Sequence, residues 1–263
     1  MASKDKDEVA KVVELESVRR RKRLTQAVKK VIDEQPTWGY RRVRAWLVRQ
    51  EGWKVSNKTI QKVFQEHGWQ VKNTNKTPRP RVSSSSSVAS RPNERWAMDA
   101  TSCWSKRGWI GVMAVIDCCT REIVSVHVSQ RGRAQEAEAV LEQGCLEQFG
   151  LIYPQPGQTR PVLRSDNGKV FTSKRFVGRC RQYGLSQEFI TPYSPQQNGM
   201  IERFFRSLKE ECVWLHNFED VEDARETIEK WVDFYNEKRP HQSLGYLSPT
   251  EFRAQFQTTA HVA

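Results

Sequence analysis

The 263-residue chain has no uncharged apolar run of membrane-spanning length, no Cys-x-x-Cys pair, and neither cysteine nor histidine before His67. A bilayer helix needs roughly 20 predominantly apolar residues. The opening MASKDKDEVAKVV also lacks the apolar stretch of a signal peptide. The chain therefore reads as a soluble cytoplasmic protein whose six cysteines are reduced thiols. Acidic residues are scarce at the front: residues 1–90 hold 21 Lys/Arg against 9 Asp/Glu, whereas residues 91–263 hold 22 of each. The whole net charge of +12 thus lies in the first third. A basic segment joined to a neutral globule suits a polyanion-binding arm attached to a domain with another task.

From Val9 to Glu34 no Gly or Pro interrupts a helical pattern, and Leu24, Ala27, Val28, Val31 and Ile32 recur at helical spacing until Pro36. A second helix is expected after Trp38-Gly39-Tyr40, and a third after Glu51-Gly52, capped by Ser56 or Asn57 and stopped by Gly68. Three helices with a basic last one, NKTIQKVFQEHG, fit a helix-turn-helix, a small all-α unit over residues 1–71. Asn57, Lys58, Gln61 and Lys62 would face the major groove of double-stranded DNA, with Arg41 and Arg42 beside them. Residues 72–92, with three prolines and five consecutive serines, read as a linker. Beyond it RWAMDATSC, WIGVMAVID and EIVSVHVS form a three-strand meander. Helix Ala134–Phe149, strand PVLRS, a helix capped by Ser173, strand Leu185–Ile190 and a last helix follow, so the class is α/β with a mixed five-stranded sheet. The α/β core is expected over 93–237 and a C-terminal tail over 238–263.

Three carboxylates stand at telling places: Asp99 within a strand, Asp166 at a strand end before Asn167-Gly168, and Glu202 in the first turn of a helix behind a Pro/Gln/Asn/Gly loop. Singly, each has an ordinary structural explanation, a turn residue or an answer to the helix dipole. Together they could hold a pair of hard cations ~3.5–4 Å apart, the arrangement that phosphodiester transfer uses. Mg²⁺ takes oxygen ligands, which carboxylates supply, and Mn²⁺ could replace it. Asp117 is the rival carboxylate, read here as a turn cap for Cys118–Arg121. In the loop and helix, Tyr193, Gln196, Asn198, Arg206 and Lys209 are candidate DNA contacts.

Asp, Asp, 35 residues, Glu resembles the signature of transposases with an RNase H-like core. SDNG, YSPQQNGMIERFFRSLKEE and YNEKRPHQSLGYLSPTEF resemble the second-frame (OrfB-type) transposase of the IS-three insertion-sequence family, and WGYRRVRAWL is similar to its helix-turn-helix. The resemblance implies that Asp99, Asp166 and Glu202 are the catalytic, metal-holding triad, with Lys209 as the basic residue seven positions after the Glu. It implies a bacterial, nucleoid-associated enzyme that cuts and joins element ends through a circular intermediate. It also implies assembly as a homodimer or higher on DNA, and a possible upstream-frame partner, since residues 1–35 hold no clear heptad repeat. A retroviral or retrotransposon integrase would carry a zinc module where this chain has no Cys or His. The pattern leaves room as well for an RNase H-like nuclease or a non-catalytic DNA-binding regulator.

Overall fold

The computed structural model describes residues 2–70, 89–191 and 195–260, with side chains over 16–70, 89–191 and 197–257. The chain divides into two compact units, 1–78 and 79–263. The expected linker falls almost wholly on residues 71–88, outside the described residues.

In the first unit α1 (Ala2–Glu34), α2 (Tyr40–Gln50) and α3 (Asn57–Glu66) follow one another. Helix α1 begins seven residues before Val9, because nothing in Ala2–Lys11 breaks a helix. Leu24, Val28 and Val31 bury one stripe of it, and Trp38, Val43, Leu47, Ile60, Val63 and Phe64 are buried in the same unit. Ser56 caps α3, its hydroxyl accepting from the Thr59 amide at 3.1 Å.

In the second unit β1 (Arg95–Ser105), β2 (Gly108–Asp117), β3 (Ile123–Ser129), β4 (Val162–Ser165) and β5 (Ser186–Phe189) form one sheet in the order β3-β2-β1-β4-β5. The first three are antiparallel, and β4 and β5 run parallel to β1. Strand alternation sends Trp96 and Met98 to one face, with α4 (Ala134–Phe149) and α5 (Lys174–Gln182). It sends Ala97 and Cys103 to the other, with α6 (Gly199–Glu211) and α7 (Val221–Glu237). Asp99 has the parity of Ala97 and so belongs to the α6 side.

The segment after 237, expected as a tail, is packed structure. His241 bridges to Leu247 around Gly245, whose φ of 65° favours glycine, and α8 (Pro249–Ala260) lies against α7. Arg239 is buried and donates to both oxygens of buried Glu211 on α6, at 2.7 and 2.6 Å, and to the Ser207 hydroxyl at 3.3 Å. Breaking one side of such a pair leaves an unpaired buried charge, at a cost of about 3–5 kcal/mol. Arg239→Ala is expected to lose that much in urea unfolding, and Arg239→Met with Glu211→Leu to recover most of it.

Candidate active site

Strand β1 is the middle strand of five, and its parallel pairing with β4 covers only Arg95–Ala97 against Val162–Arg164. Continued by two residues, that register sets Asp99 opposite Asp166, the residue that follows β4. The chain must turn there. Asp166 accepts the Gly168 amide at 2.9 Å, and a Cβ on Gly168 would stand 2.8 Å from the same carboxylate oxygen. Only glycine leaves the aspartate in place. Asp99 accepts the Ala100 amide at 2.8 Å through one oxygen, which leaves its other oxygen for a ligand.

Glu202 comes from the first turn of α6. Asn198, just before the helix, is 2% exposed and reaches the Met98 carbonyl at 3.5 Å, tying the start of α6 to the strand position before Asp99. The Asp99 carboxyl is pushed up to about 6, first by burial and then by the negative charges of Asp166 and Glu202, against a lowering bond from the Ala100 amide. The three carboxylates therefore feel one another, and the strand and helix origins read from sequence are those observed.

Among the described residues no three carboxylate, imidazole or thiol side chains stand close enough to make a ready-formed metal cage. The donor chemistry nevertheless fits a hard divalent cation, because burial, with the charges of Asp166 and Glu202 added, raises the cost of ionising Asp99 and a cation would offset it. The site opens on a cleft of about 240 Å³ lined by Asp99, Asp166, Gly168 and Lys169.

Asp117, the rival, is fully buried and occupied elsewhere. One oxygen accepts the Cys119 and Thr120 amides at 2.8 Å, the other the Asn93 amide at 2.6 Å. It caps the β2–β3 turn. Of the loop candidates, Tyr193 lies outside the described residues and the Gln196 side chain is likewise not described. Arg206 pairs with Glu210 at 2.7 Å, whereas Lys209 forms no ion pair among the described residues. In the first unit Asn57, Lys58, Gln61 and Lys62 are all exposed on α3. Arg41 lies over the Tyr40 ring and Arg42 over Trp38.

Sequence reading missed Arg164. It is 4% exposed, pairs with Glu188 of β5 at 2.8 Å, and donates to the Gln197 carbonyl at 2.9 Å. One guanidinium thus holds β4, β5 and the approach to α6 together. A cation two residues before Asp166 carries a faint signal, and periodicity alone would turn it outward.

An HTH-like domain model matches residues 19–77, and two integrase core domain models match 89–195 and 183–249. A protein of insertion element IS407 from Burkholderia multivorans is 30% identical over 229 residues, covering 86% of this chain and 79% of that one. The chain belongs to the insertion-element transposases with an integrase-type, RNase H-like core. By class it is a DNA transposase, a polynucleotidyl transferase, and the retroviral-integrase reading is not the better one. The putative transposase InsK of IS150 from Escherichia coli is 28% identical, over 83% of this chain and 78% of that one. An IS476 protein from Xanthomonas euvesicatoria is 32% identical over 84% of this chain, which spans 62% of that relative's length. A chain of a simian T-cell lymphotropic virus intasome in complex with a PP2A regulatory subunit shares the fold, at TM-score 0.54 and 17% identity over 80% of this chain and 73% of that one. Among the described residues no helix of this transposase is long and apolar enough to cross a membrane.

The raised Asp99 carboxyl carries a stability prediction. Its protonated form is favoured in the native state, so the contribution is present at low pH and is lost as pH rises from about 4 through about 6. In metal-free protein at neutral pH, Asp99→Asn should raise the unfolding free energy by roughly 1–3 kcal/mol. It should also flatten that pH dependence. Mg²⁺ should stabilise the unaltered protein more than the variant, as thermal melts with and without chelator would show.

Proposed function

We propose that this transposase binds the ends of its element as double-stranded DNA, cleaves one strand with water, and joins the freed 3′-hydroxyl to another phosphate by in-line attack. The single observation that carries the reading is the placement of Asp99 on the middle strand opposite Asp166 at the end of β4, beside an open cleft and under the helix that begins with Glu202. These three would hold two Mg²⁺ ions, or Mn²⁺. Such ions, when bound, activate the attacking oxygen and neutralise the leaving one.

The chain's own groups do the rest. The N-terminal end of α6, which carries Glu202, has the dipole sign that favours a phosphate, and Lys209 supplies a point charge farther along the same helix. Asn198 fixes where α6 begins, and Arg164 fixes the approach to it. Asn57, Lys58, Gln61 and Lys62 would enter the major groove, Arg41 and Arg42 would contact phosphate, and Tyr193, Gln196 and Arg206 would lie along the DNA near the cut. Action in the bacterial cytoplasm as a homodimer or larger assembly on DNA, aided by an upstream-frame segment, completes the reading.

Asp99→Asn, Asp166→Asn and Glu202→Gln are each expected to abolish Mg²⁺-dependent nicking and joining of end DNA while DNA affinity stays within a few-fold. Nicking by any one of them would remove that residue from the site. Asp117→Asn should keep its activity per folded molecule. A front fragment, residues 1–75, should bind DNA with an affinity that falls steeply with salt, because neutralised phosphates release counterions. The charge-neutral fragment 91–263 should bind more weakly and with a shallower slope, which filter binding over a salt series would measure.

A further inference from the structure

We propose that a cleft between the β1–β2 hairpin and the C-terminal end of α6 receives an unpaired base of the DNA strand and stacks it on exposed tryptophan. The inference rests on DNA being the substrate. Three indoles are left in water here: Trp104 is 59% exposed, Trp109 65% and Trp214 67%. Trp104 and Trp109 are cross-strand partners in an edge-to-face pair with centroids 5.1 Å apart. Clustered exposed aromatics of this size are uncommon on a surface without a binding task. The cleft they line holds about 650 Å³, room for a base with its sugar.

The topology explains why it stays open. Strand β1 continues for eight residues, Met98–Ser105, past its last pairing with β4, so that edge lacks a neighbouring strand until Ser105 bridges to Phe218. The lining holds Lys106, whose ammonium pairs with Glu219 just outside it, together with Lys209 and His216, and no carboxylate. That balance suits a phosphate-bearing partner. It disfavours a second copy in a two-fold contact, which would bring Lys209 toward its own equivalent. Lys209 also links the cleft to the carboxylates, since it lies seven residues after Glu202, about 10 Å along α6. That is roughly three base rises of ~3.4 Å. A strand leaving the cut would reach the tryptophans within a few nucleotides. Stacking is indifferent to base identity because every base has a π face, so sequence choice is left to other contacts.

The test uses the full chain, Mg²⁺, and a duplex with a short single-stranded thymidine extension carrying 5-iodouracil. Irradiation should cross-link residues 102–109 or 213–217. Trp104→Leu and Trp214→Leu, which keep an apolar surface but lose the ring, should each bind the extended probe roughly tenfold more weakly and the blunt duplex normally. Trp104→Phe and Trp214→Phe should recover most of the loss. The exposure of these side chains means that none of the changes opens a core cavity. Cross-links found only elsewhere, or leucine variants that bind both probes like the parent, would overturn the inference. So would leucine variants altered only in self-association by sedimentation, which would assign the cleft to another copy. If the parent chain neither binds the probes nor nicks DNA in Mg²⁺, the transposase reading fails with it. If the parent nicks normally and the leucine variants match it, the cleft alone is wrong.

Discussion

The site depends on three pairs of residues: the parallel contact of β1 with β4 that ends at Ala97 and Arg164. Were the register slipped by one, strand alternation would turn Asp99's neighbours to the wrong faces and Asp166 would leave the turn at Gly168. Such a short ladder cannot hold register by hydrogen bonds alone. Buried Trp96 and Leu163 on one face pin it by packing, and Arg164 pins it by spanning β4, β5 and the Gln197 carbonyl. The arrangement of the three carboxylates is therefore held by groups outside them.

Charge is handled in two ways within the same unit. Glu211 and Arg239 neutralise each other in the dry layer between α6 and the closing segment. Asp99, by contrast, is buried with no cation beside it among the described residues and lies in the negative field of Asp166 and Glu202, and burial first and those charges second raise its carboxyl. Glu211 is satisfied from within, whereas Asp99 has only the Ala100 amide among its hydrogen bonds to the described residues. Asp117 is like Glu211 in this, its two oxygens taken by the amides of Asn93, Cys119 and Thr120.

Much of this was legible in the residues. The meander, the strand that delivers Asp166 and the helix that delivers Glu202 were readable because their apolar spacing is regular and their breakers are Gly, Pro and Asn. Ser56 and Ser173 were legible as caps because a hydroxyl before a helical run has few better uses. Arg164 and Arg239 were not, since a buried cation looks like a surface one until its partner 24 or 28 residues away is known. The helix α8 within residues 238–260 was passed over although Phe252 and Phe256 stand at helical spacing, because the Pro and Gly of the stretch before it read as a tail. The aromatic cleft was invisible because Trp104 and Trp109, in strands, count as core by type, and only their place at the hairpin end of β1 and β2 leaves them outside.

Arg253 lies on α8, near the end of the described chain, and pairs with two carboxylates at the far edge of the β2–β3 turn: Asp117 at 3.6 Å and Glu122. Glu122 is held above the usual carboxylate range by burial. During synthesis both acids leave the ribosome more than 130 residues before that guanidinium. The strand that bears Asp99 is bonded to the hairpin beneath them. The Arg253 contacts thus close one of the longest sequence separations in the unit, fastening α8 to the turn of the hairpin against which the Asp99 strand is laid.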